Sequence, residues 1–141
     1  MTDPRPADSP LVGYTHIVYA LHALSVVIAL TTAATIIGSF IFGIPSIIAV
    51  IMNYVRRRDV AGTWLESHFR WQIRTFWGAL WATVLVAVVS APLMLLLVGF
   101  LTLPVGIAVI SVWIMYRVIR GWLALREGRS MPMDGTPAAR A

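Results

Sequence analysis

Residues 75–116 read TFWGALWATVLVAVVSAPLMLLLVGFLTLPVGIAVISVWIMY, a run of more than forty residues whose one ionisable group is Tyr116. A membrane hydrocarbon core about 30 Å thick takes about 20 helical residues, so such a run has to turn back on itself. A second long stretch, Leu11 to Val55, is interrupted only by His16 and His22. Each stretch reads as a hairpin of two helices. The expected fold class is therefore an all-α integral membrane protein, a four-helix transmembrane bundle. Composition agrees: 59% of the chain is hydrophobic and 12% charged, against roughly 45 to 50% apolar residues in soluble domains.

The 141 residues leave room for one domain. We expect a polar flexible N-terminus over 1–13, a membrane domain over 14–127 and a disordered tail over 128–141. Helix 1 is expected over 14–37, ending where Gly38, Ser39 and then Gly43-Ile44-Pro45 supply turn chemistry. Helix 2, over 40–55, rises only about 24 Å, or about 17 Å if it starts at Pro45. Thr63-Trp-Leu-Glu66 fits a capping box and opens helix 3, over 63–98. That long helix is expected to run along the interface from Trp64 to Arg74 and to kink in mid-span at Pro92. Gly99 to Pro104 turn the chain into helix 4, over 104–126. Pro45 and Pro104 each precede Ile-Ala-Val-Ile, as in a chain built from two similar hairpins. The first ten residues are polar and proline-rich, and no removable signal peptide is expected in them.

Every basic residue is arginine, and in a membrane protein arginines report orientation first, because cytoplasmic segments near membrane ends carry their excess. Four spans with both termini inside place Arg5, Arg56 to Arg58, Arg70, Arg74 and all arginines from Arg117 onward on the cytoplasmic side. A three-span arrangement with the N-terminus outside misplaces only Arg5.

Polar groups in a bilayer are costly and point to function. His22, Asn53, Glu66, His68 and Gln72 gather at the cytoplasmic side and are candidates for a polar pocket open to it. The alternative for the same residues is a packing seam, since small and polar side chains at three- and four-residue spacing let membrane helices approach closely. Arg56, Arg57, Arg58, Arg70 and Arg74 are candidates for contact with anionic lipid heads, or serve as a topology signal alone. No metal or cofactor is expected. His16 and His22 are six residues apart and share no helical face, and cysteine is absent. No nucleophile with a base beside it is evident, and no glycine-rich phosphate loop occurs, so an enzyme and a nucleic-acid partner are not expected.

Three segments carry a resemblance: Pro45 to Asp59 (PSIIAVIMNYVRRRD), Trp64 to Ile73 (WLESHFRWQI) and Ile119 to Gly128 (IRGWLALREG). They resemble a widespread family of small uncharacterised bacterial membrane proteins. That family is distantly likened to the "Tic twenty" subunit of the chloroplast inner-envelope import translocon. The resemblance spans Thr15 to Pro132. His22 matches the family's helix 1 histidine, and Glu66, His68 and Gln72 match its charged connector with a following histidine and glutamine. Arg70 and Trp71 stand where the family has asparagine and phenylalanine. The resemblance implies a four-helix fold in a bacterial inner membrane and no particular activity. The expected function is an accessory or structural component of a membrane complex, whose partners are the bilayer and another membrane protein or a second copy. The alternative is a small transporter or channel-like component using the cytoplasm-facing pocket.

Overall fold

A computed structural model describes the backbone of residues 9–32 and 36–132, and the side chains of residues 10–29 and 43–132. Four α-helices follow in order: α1 Ser9–Thr32, α2 Ile36–Val55, α3 Leu65–Leu93 and α4 Gly99–Arg126. A short 3₁₀ turn, Met94–Leu96, closes α3, and no strand occurs among the described residues. The apolar stretches Pro10–Ala29, Leu65–Leu96 and Gly99–Arg126 are long and apolar enough to cross a membrane.

Several expected boundaries move. α1 starts at Ser9 rather than Tyr14, because Pro10 falls in its first turn, where a missing N–H costs nothing. α2 begins at Ile36, so Gly38, Ser39, Gly43 and Pro45 are helical and do not form the turn assigned to them. The 20 residues of α2 rise about 30 Å instead of about 24 Å. Residues 33–35, between α1 and α2, lie outside the described residues.

The second hairpin turns earlier than expected. Pro92 is the penultimate residue of α3, so the helix ends there and does not continue past a mid-span kink to Val98. Leu97 takes a left-handed φ of 61° and donates its N–H to Met94 at 3.1 Å. Residues 99–104 are already helical, with Pro104 inside α4. Thr102 Oγ1 donates to Ser90 Oγ at 3.0 Å and ties the start of α4 to the end of α3.

The connector between α2 and α3 also departs from the capping box. Thr63 Oγ1 donates to the Val60 carbonyl at 2.8 Å, and Glu66 reaches back past Thr63 to the Gly62 amide at 2.9 Å. Val60, fully buried, anchors this turn on the bundle.

At the far end, Gly128 (φ 65°) closes α4 in a Schellman motif. Its N–H bonds Leu125, and the Arg129 N–H bonds Ala124 at 2.9 Å. The chain then docks: Met131 is buried, and its N–H donates to Ser67 Oγ at 2.8 Å. The start of the tail expected to be disordered therefore packs on α3. Residues 133–141, like residues 1–8 of the expected flexible N-terminus, lie outside the described residues.

α1 packs along α2, α3 along α4, and α1 against α4, while α2 and α3 touch only sparsely. The core sits at the end of the bundle where the arginines lie and joins Tyr19 and Val26 of α1 to Leu65 and Phe69 of α3 and to Ile114, Val118 and Leu125 of α4. Gly121 of α4 makes this possible, because a Cβ there would overlap the Tyr19 ring.

Candidate functional site

His68 sits one turn into α3 and is fully buried. Its Nε2 lies 2.8 Å from the Arg129 carbonyl, which can only accept, so Nε2 carries the proton. Nδ1 is then an acceptor, and the Tyr19 hydroxyl donates to it at 2.9 Å. The imidazole is thus a neutral link between α1, α3 and the segment after α4. Trp64 meets it edge-on, with ring centroids 5.4 Å apart. A side chain so enclosed, with both nitrogens engaged, holds helices together.

His22 belongs to a different system. It is 3% exposed, and its Nδ1 lies 3.3 Å from Ser46 Oγ of α2, while Nε2 has no hydrogen-bond partner among the described residues. Asn53 and Gln72 are buried too, and both their amides lack partners among the described residues. Glu66 stands apart from the other four candidates: it is partly exposed and pairs with Arg70 at 2.7 Å. The structure thus buries His22, Asn53, His68 and Gln72 within the bundle and leaves Glu66 at its surface.

The arginines sort in the same way. Arg56 pairs with Asp59 at 3.0 Å and lies over the Tyr14 ring at 5.6 Å. Exposed pairs of this kind contribute at most about 1 kcal/mol. Arg57, Arg58 and Arg74 are exposed. Sequence reasoning missed Arg117, whose guanidinium stacks on Trp71 at 3.6 Å from the ring centroid and whose Nε donates to Thr75 Oγ1 at 2.6 Å. Trp71 Nε1 returns a bond to the Arg117 carbonyl at 3.2 Å. Arg120 shares the same indole at 5.8 Å. The signal was present in the antiparallel pairing of two arginine-bearing helix ends, but only the hairpin register brings Trp71 opposite Arg117.

His16 is also engaged, accepting from Trp122 Nε1 at 2.9 Å. Among the described residues no group of three or more histidine, aspartate or glutamate side chains is placed to hold a metal ion. Set against known proteins, the chain matches no family model, no curated protein and no solved structure.

Proposed function

We propose that the chain is a multi-pass protein of a bacterial inner membrane, with both termini cytoplasmic, that serves as an accessory or structural component of a membrane complex. The observation that carries this reading is the outer surface of α3. Only 6% of its most apolar window is buried inside the molecule, against 33% for α1. Trp77, Trp81, Val84, Leu85 and Val88 form an exposed apolar stripe there, at the three- and four-residue spacing of one helical face. The closed packing around Tyr19 and His68 supports the same reading, since it spends polar groups on holding the bundle together. The resemblance to small four-helix bacterial membrane proteins is in keeping with it.

The chain has no cysteine, so single cysteines report contacts cleanly. With cysteine at Trp81, Leu85 or Val88, crosslinking in native membranes is expected to give one adduct of fixed mass, whether with another membrane protein or with a second copy. Cysteine at Ile17 or Leu24 of α1 is expected to give none. A chain that stays monomeric at every position would sink the proposal. A second reading, a small transporter or channel-like component, draws on the buried amides of Asn53 and Gln72, which lack partners among the described residues, because polar groups inside membrane helices mark substrate paths.

A further inference from the structure

Where α2 and α3 diverge, a cavity of about 290 Å³ lies between them. His22 of α1 and Ile114 of α4 form its floor, and Ser46, Thr75, Ala79 and Thr83 line its walls. Ile47 and Leu80 stand at its mouth and are 48% and 41% exposed, so the cavity opens sideways between two helices. We propose that this opening admits the single chain of an amphiphilic lipid from the bilayer, and that His22 holds the lipid's one hydroxyl or carbonyl group.

Three observations fix that ligand class. Ligand pockets run from about 300 to 1,000 Å³, and a cavity at the bottom of that range takes one hydrocarbon chain but not a two-chain phospholipid. Polarity is graded along it as well. His22 and Thr75 lie one to two turns past the Tyr19–His68 bond, near the arginine-bearing ends of the helices. Thr83 lies eight residues beyond Thr75, about 12 Å deeper, past Ala79 and Leu80. A head at His22 and a tail toward the bilayer centre is the orientation of the surrounding lipids. Finally, the Thr75 and Thr83 hydroxyls already donate to the carbonyls of Trp71 and Ala79, each at 2.8 Å. His22 lines the cavity with only 3% of its surface exposed, and its Nε2 has no hydrogen-bond partner among the described residues; an unpaired polar group in hydrocarbon is costly.

The inference goes beyond the accessory role and rests on α1, α3 and α4 being membrane spans. The test uses the full chain in phosphatidylcholine vesicles, labelled by a diazirine-bearing fatty alcohol. Labelling is expected to concentrate on residues 43–47 and 75–83 and to be competed by excess oleyl alcohol. His22→Phe keeps the ring but removes the anchor, and is expected to lower labelling about tenfold, as loss of a hydrogen bond in an apolar site would. Gly43→Phe plugs the mouth and is expected to do the same. Among the described residues a Cβ at Gly43 meets the Ile47 side chain at 3.9 Å, an ordinary contact, so the helix backbone accepts a side chain there. A diazirine hydrocarbon without the hydroxyl is expected to ignore His22→Phe. Labelling spread evenly over the exposed faces at Leu85 and Val109, or unchanged in both variants, would overturn the proposal. Carbonate extraction of the same vesicles separates the two levels: a chain that leaves the vesicles would overturn the membrane reading itself.

Discussion

Replacing His68 by leucine is expected to lower stability by about 2 to 4 kcal/mol, since it strands the buried Tyr19 hydroxyl, at about 1 to 3 kcal/mol when left unpaired, and the part-buried Arg129 carbonyl, at about 1 kcal/mol. The Tyr19 hydroxyl loses its acceptor and the Arg129 carbonyl its donor. Tyr19→Phe removes the first bond, leaves His68 Nδ1 buried without its donor and keeps the bond to Arg129, so about 1 to 3 kcal/mol is expected to be lost. Thermal unfolding in a mild detergent, read for both single variants and the double variant, gives the coupling between them. The account predicts strong coupling, because the hydroxyl and the imidazole bond each other directly. A His68→Leu protein within 0.5 kcal/mol of the parent, a threshold set by ordinary surface substitutions, would show that the histidine link does not hold the bundle.

A large effect is also expected at Gly121, which faces the Tyr19 hydroxyl and the ring edge beside it. Gly121→Leu sets side-chain atoms where the phenol ring lies, and overpacking of a close helix contact costs about 1 to 3 kcal/mol, occasionally more. Because the hydroxyl that would be displaced is the one bonded to His68, the ring cannot retreat without breaking that bond, so a loss near the top of the range is expected. Gly13 provides the control: a Cβ there meets nothing within 4 Å, and Gly13→Ala is expected to be neutral or to stabilise α1 by up to about 1 kcal/mol. Equal melting temperatures for the two variants would mean that α1 and α4 do not pack as described.

The helix number was legible because the uncharged runs are far too long for single spans, and the arginines mark where they end. Boundaries were less legible, and for one physical reason. Gly38, Gly43, Pro45 and Pro104 were read with the turn chemistry of water-exposed chains, whereas all four lie inside helices. The true reversal at Leu97 uses a residue with no turn propensity at all, held in a left-handed conformation that usually costs about 1 to 2 kcal/mol. No sequence pattern announces such a position.

Of the candidate site, the burial of His22, Asn53, His68 and Gln72 agrees with their small-residue stripes. What each one bonds did not follow from spacing. His68 pairs with Tyr19, 49 residues away, and with Arg129, 61 residues away, and only the tertiary register selects these partners. Arg129 was assigned to a disordered tail, so its carbonyl was never a candidate. Glu66 was grouped with the pocket because it falls among the polar residues gathered at the cytoplasmic side, at the start of helix 3. Two residues apart on a helix, however, Glu66 and His68 face different ways, and the glutamate goes to Arg70 and the Gly62 amide.

The central claim is that this is a four-span bundle with its arginine-bearing ends and both termini on the cytoplasmic side. Because the parent chain is cysteine-free, its topology is open to single-cysteine labelling of spheroplasts with a membrane-impermeant maleimide. The informative variants are Thr2→Cys, Arg57→Cys, Leu97→Cys and Glu127→Cys. The account predicts that Leu97→Cys labels in intact spheroplasts and that the other three label only after permeabilisation. Labelling of Arg57→Cys together with Leu97→Cys from outside would contradict the two-hairpin arrangement, and external labelling of Thr2→Cys would select three spans.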